Sequence, residues 1–266
     1  MMKPVLCLIA FICTVNIDAF GQLMIRESFA AATQAQKPAS FLWTIEKAPD
    51  NIGFGTIDIG VRYAIDWGEL IAGPTVEYHK LSRESREYDR YSIGGSGELL
   101  LPFFEIPWLG SPYLTSQIAY EHNRIDNKDG LAWSLSGTFF SRSKAAPGSQ
   151  NKLWENSMIR YYPHIGVEKH PAVSDIISSA TLGFIQLNFE FWPWIGRIQI
   201  LGTYTIVKKL NAETLPNELN RSSLSINIFL DPNERIGFGA EYLDSASPKD
   251  GFEKVRRTVI GLKVKL

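Results

Sequence analysis

The stretch Thr56-Ile57-Asp58-Ile59-Gly60-Val61-Arg62-Tyr63-Ala64-Ile65-Asp66-Trp67 places Ile57, Ile59, Val61, Tyr63, Ile65 and Trp67 on one side of a period-two pattern. Thr56, Asp58, Gly60, Arg62, Ala64 and Asp66 fall on the other. Successive side chains of a β-strand point to opposite faces, so strict alternation of this length predicts a strand with one apolar and one polar side. The pattern returns at residues 197–206, 223–230, 235–242 and 257–266. Weaker alternation marks 41–46, 69–79, 91–101, 113–121, 131–140, 159–168 and 181–191. The expectation is an all-β chain of about twelve strands, with ten to fourteen as the bounds, because Pro74 and Pro163 each delete a ladder donor inside a predicted strand.

Composition limits the alternatives. The chain has 266 residues, 45% of them hydrophobic and 21% charged, which excludes a helical membrane bundle and a disordered polymer. A net charge of −1 gives no electrostatic footprint for nucleic acid. Residues 1–21 read as a secretory signal peptide, with Lys3 before an apolar run of eleven residues, 5–15, and small residues at Ala19 and Gly21. Eleven residues fall short of the ~20 that a spanning helix needs. Both cysteines, Cys7 and Cys13, lie in this segment, so the exported chain is expected to carry no disulfide. Residues 22–39 are expected to hang in the periplasm or enter the lumen, and residues 40–266 to form the barrel.

Connections supply a second line of argument. Residues 66–69, 106–111, 192–196 and 231–234 are short, whereas 81–90, 123–130, 210–221 and 244–254 are longer and more polar. This predicts tight turns at one end of the barrel and long loops at the other; residues 141–157 break the pattern by being long on the short-turn side. The polar faces mix opposite charges with Gly, Ser, Thr and Gln, as a confined hydrated interior would. Arg62, Arg160, Arg197, Arg235 and Arg257 are candidates to meet Asp58, Glu77, Glu98, Glu121, Glu168, Glu190 and Glu241 there. A basic residue on the lipid side at midplane would cost about 2–4 kcal/mol. Trp67, Trp108, Trp192 and Trp194, four of the seven Trp, sit at short turns, where an indole buries its ring and keeps its N–H wet at a membrane edge.

In these features the chain resembles a bacterial outer-membrane β-barrel protein: a signal peptide, a cysteine-free remainder, amphipathic strands, and a final alternating segment Thr258, Ile260, Leu262, Val264. The family usually ends in an aromatic residue, where this sequence has Leu266. The resemblance implies an up-and-down antiparallel barrel in the outer membrane, with lipid and the barrel-assembly machinery as partners. It also implies either a narrow pore for small solutes or a structural surface barrel, plugged where long Arg and Glu side chains bridge inward. An exported soluble β-barrel and an outer-membrane lipid-modifying enzyme are the competing readings. Against the enzyme, none of His79, His122, His164 and His170 is followed two positions later by Ser. Residues His164 and Glu168 lie four apart, ~13 Å along a strand, too far to share one metal ion. No catalytic residue, metal site or cofactor is expected.

Overall fold

The computed structural model describes residues 21–26, 39–45, 53–81, 88–140, 147–172, 179–211, 215, 219–231, 233–234, 236–246 and 254–264. They form thirteen β-strands: β1 (Gly21–Arg26), β2 (Ala39–Ile45), β3 (Gly53–Asp66), β4 (Leu70–Leu81), β5 (Tyr88–Leu100), β6 (Ser111–Asn123) and β7 (Lys128–Phe140), followed by β8 (Met158–His170), β9 (Ala180–Trp194), β10 (Ile198–Asn211), β11 (Arg221–Phe229), β12 (Ile236–Ala246) and β13 (Lys254–Val264). Each strand from β3 to β12 pairs antiparallel with its successor in sequence. β2 then pairs with both β13 and β3, through Thr258 opposite Ile45 and Ser40 opposite Asp58. These pairings make a closed ring of twelve strands, β2 to β13.

β1 was not expected. The sequence predicts a periplasmic or lumenal segment over residues 22–39, but Gln22–Arg26 pair along β3. Gly21 to Arg26 pair with Ile65 to Gly60, while β2 pairs with the preceding half of β3, so β1 and β2 share one line along the same neighbour.

The prolines keep register. Across β3 and β4, Arg62 faces Thr75 and Ile65 faces Ala72, and only the two positions opposite Gly73 and Pro74 lack ladder pairing. The backbones come so close there that a Cβ on Gly73 would lie 1.8 Å from the Tyr63 carbonyl oxygen. Pro163 acts differently. The β7–β8 ladder stops at Gly137 opposite Ile165, and the segment after β7 takes over beside β8: the Gly148 N–H donates to the Tyr161 carbonyl (2.8 Å), and Asn151 and Ile159 exchange two bonds. The seventeen residues 141–157, longest of all connections, thus include a patch in the wall where Pro163 interrupts it.

The expected contrast between short turns and long loops does not hold. At the supposed long-loop end β6 and β7 run to Asn123 and from Lys128, leaving a four-residue turn, while ten residues join β5 to β6 at the other end. Strand pairing continues past the apolar stretch into polar residues such as Glu121 and Asp129, where period-two hydropathy no longer reveals it.

Polarity is inverted relative to a water-soluble barrel. Among the described residues, twenty-four polar or charged side chains are buried against seventeen apolar ones, and thirty-five large apolar side chains are exposed. On β8 and β9 the outward residues include Ile165, 65% exposed, with Ile185, Leu187 and Phe189. The inward ones include His164, Asn188 and Glu190, all buried. A continuous outer surface of this kind far exceeds the few hundred Å2 of contiguous apolar patch that a monomeric soluble protein exposes.

Candidate functional site

Buried charged groups converge in the interior, mainly in two sectors. In the first, β3 to β6, the guanidinium of Arg62, 1% exposed, donates to Glu98 (2.7 Å) and to the Ser96 hydroxyl (3.2 Å). Glu98 lies two strands away, so the long arginine must cross β4. Its path is open because small residues face it: Thr75 opposite on β4 and Gly94 opposite that on β5. A Cβ on Gly94 would lie 2.0 Å from the Ile118 carbonyl oxygen, so the glycine also permits the close approach of β6. The Tyr113 hydroxyl donates to the second Glu98 oxygen (2.5 Å). Further along the same wall, His79 sits between Asp58 (Nδ1, 2.7 Å) and Glu77 (Nε2, 3.1 Å), and the Gln117 amide donates to Glu77 (2.9 Å). Arg90 pairs with Glu121 at 3.4 Å and lies over the Tyr88 ring.

The second sector, β8 to β11, is layered. At its centre Glu190 accepts from Arg160 (2.5 Å), the Trp192 indole (2.7 Å) and the Gln199 amide (2.8 Å), and Asn227 donates to Gln199 (3.0 Å). Three donors converging on one carboxylate are what a buried charge requires. Above it Glu168 accepts from Arg221 (2.7 Å) and lies 3.1 Å from His170. Apolar groups close the sector at both ends. Met158, Trp192 and Phe229 pack together at one, the two rings stacked at 5.8 Å. At the other, Ala180, Leu182, Phe184 and Val207 meet Leu215 and Leu219 from the β10–β11 connection, and Lys209 donates to the Leu215 carbonyl (3.1 Å). On β13, Lys263, 2% exposed, faces Glu241 at 3.8 Å.

Of the expected interior charges, Arg62, Glu98, Arg160, Glu168 and Glu190 line these sectors, and Glu241 lies inward on β12. Arg197 does not: it lies in the β9–β10 turn, where its guanidinium donates to the Leu230 carbonyl (2.9 Å). Arg235 and Arg257 fall outside the residues whose side chains are described. Among the expected interfacial tryptophans, Trp67, Trp108 and Trp194 are exposed at the turn end. Trp192 is not, being 2% exposed inside the barrel. A bulge explains the split. Ile198 pairs with Trp194 but Ile200 with Phe191, so Trp192 and Pro193 together oppose Gln199 and the side-chain alternation shifts by one. Trp154, in the 141–157 connection, takes the vacated role at this rim: exposed, edge-on to Phe191, its indole bonded to the Pro193 carbonyl (3.1 Å).

His79 holds a carboxylate at each ring nitrogen, and His122, on the outer face, lies 2.5 Å from Asp129. Neither ring nitrogen of buried His164 has a hydrogen-bond partner among the described residues. No group of three His, Cys, Asp or Glu side chains with metal-binding geometry occurs among the described residues.

The fold and its polarity define an inside-out antiparallel β-barrel with a packed, charge-paired interior. No protein-family model matches the sequence, and no curated protein is detectably similar to it. A solved structure, the outer membrane channel DcaP of Acinetobacter baumannii, aligns over 92% of this chain and 80% of that one, at 10% identity and a TM-score of 0.35. A likeness at that score carries no inference about fold or function.

Proposed function

We propose that the chain is an integral outer-membrane β-barrel whose lumen is shut in the structure described, a surface barrel rather than an open pore. The observation that carries this reading is the burial of the inward face. Side chains lining a water-filled channel retain contact with solvent, whereas Arg62, Lys263, Glu190, Asn227 and Ser136 are all buried. The inward Arg62, Arg90, Arg160, Arg221 and Lys263 lie against carboxylates, which supports a filled interior over a fixed-charge filter. A ring of twelve strands lies between the filled eight-stranded barrels and the sixteen-stranded porins, so filling it is within reach of long side chains.

A narrow small-solute path is the second reading. It is supported by Glu98, Glu121 and Arg160, which keep partial exposure inside the barrel. On that reading Arg62, Glu98, Arg160, Glu168, Glu190 and Glu241 set its selectivity once the pairs separate. Two measurements test the assignment. The heat-modifiable gel band of a folded barrel is expected in the outer-membrane fraction, and recovery of the protein in the soluble periplasmic fraction overturns the membrane reading. In planar bilayers at high salt the wild-type protein is expected to give no sustained open channel, while Arg62→Ala with Glu98→Ala admits ions. Steady wild-type conductance overturns the shut lumen.

A further inference from the structure

We propose that the β5–β6 connection, residues 101–110, is a lipid-inserting knob that seats in the lipid leaflet at its end of the barrel; the inference rests on the membrane reading above. Its sequence, Leu-Pro-Phe-Phe-Glu-Ile-Pro-Trp-Leu-Gly, holds one charged residue, Glu105. Phe103, Phe104, Ile106, Trp108 and Leu109 are all exposed, Trp108 to 91%. Phe103 and Phe104 rest against each other rather than on the barrel wall, their rings 5.1 Å apart.

The backbone is prepared for an apolar medium, where an unpaired N–H is costly. Pro102 and Pro107 have no N–H. Leu101 donates to Pro112, Phe104 to Leu101, Leu109 to Ile106, and Ile106 and Gly110 exchange two bonds of 3.0 and 2.9 Å. Seven of the ten positions thus present no free donor, leaving Phe103, Glu105 and Trp108 to reach headgroups or water. The tip is held in an unfavourable shape at Trp108, φ +73°, left-handed for a bulky residue, whereas Gly110 takes its φ of +90° without a Cβ to clash. An aromatic side chain presented on a strained tip and left 91% exposed is a surface awaiting a partner.

Lipid is favoured as that partner because the surroundings are a ring, not a patch. Trp67, Trp154, Trp194, Ile195 and Leu230 are exposed on the other connections at the same end. A protein-binding site would be confined to one side. The knob also continues the outward apolar face that Ile118 presents on β6.

The test uses site-specific fluorescence, with Cys7 and Cys13 changed to Ser so that the label is unique. Leu109→Cys and, separately, Phe104→Cys carry an environment-sensitive fluorophore in barrels refolded into phosphatidylcholine vesicles and checked by heat-modifiable migration. Blue-shifted emission, quenching by dibrominated acyl chains and protection from aqueous iodide are expected at both sites, unchanged on diluting protein in lipid. Ile118→Cys reports the outer wall, and Asn127→Cys, at the opposite end of β6, reports water. Iodide quenching at 104 and 109 equal to that at 127 overturns the knob. Emission that shifts with protein-to-lipid ratio assigns the surface to a second copy and overturns it too. Aqueous exposure at 118 instead overturns the membrane reading itself.

Discussion

The two faces of β9 come from the same fifteen residues and obey opposite rules. Outward, Ile185, Leu187 and Phe189 form a row with no polar partner to satisfy, and their exposure is tolerable only in an apolar surrounding. Inward, Gln186, Asn188 and Glu190 are tied to β10 through Thr205, Thr203 and Gln199. The outer face asks only for hydrophobicity, so many substitutions there should be interchangeable. The inner face asks for particular partners, so its residues should not be.

The sharpest way to break that contrast is Glu190→Ala, which strands Arg160 and the Trp192 indole inside the barrel. Leaving a buried charge unpaired costs about 3–5 kcal/mol, expected as an earlier urea midpoint for barrels in vesicles. A loss under about 1 kcal/mol would mean that water reaches this position and that the lumen is open there. On the outer face Ile185→Arg should cost about 2–4 kcal/mol if the site faces the bilayer midplane. In a water-soluble barrel the same exposed position would tolerate it within about 0.5 kcal/mol, so the vesicle experiment separates the two surroundings. Ile185→Leu should change almost nothing in the same assay, whereas the equally conservative Gln199→Glu opposes a second carboxylate to Glu190 and should destabilise measurably. Among the polar substitutions the smallest effect is expected for Arg197→Ala. That arginine makes one exposed bond to the Leu230 carbonyl, worth about 0.5–1.5 kcal/mol at most, and a larger loss would place it in the interior after all.

How much of this was legible in sequence follows from what period two reports. All twelve strands of the ring are marked by alternation, and it names the outward face as well, because outward-facing and inward-facing residues differ in polarity at nearly every step. It fails wherever the step is broken. Trp192 and Trp194 have the same parity in sequence, yet the bulge at Pro193 sends one inside and one out. β1 was hidden because Gly21–Arg26 lies at the expected boundary of the signal peptide. The turn at residues 124–127 looked like a long loop since pairing there outlasts the apolar pattern. Charge partners were the least readable. Alternation puts Arg62 and Glu98 on the inner face, but only the small Thr75 and Gly94 between them explain why the two meet across a strand.

Ring closure also sets the order in which this protein can form. Every pairing from β3 through β13 joins strands adjacent in the chain, so hairpins can zip locally and in any sequence. The seam is the exception: Ile45 must find Thr258, 213 positions later. Loop-closure entropy rises only as the logarithm of length, so the equilibrium penalty is modest, but non-local contacts of this span slow folding. Sealing β2 to β13 should therefore be the last and slowest event, and substitutions along that seam should alter the rate of barrel formation more than those in any hairpin.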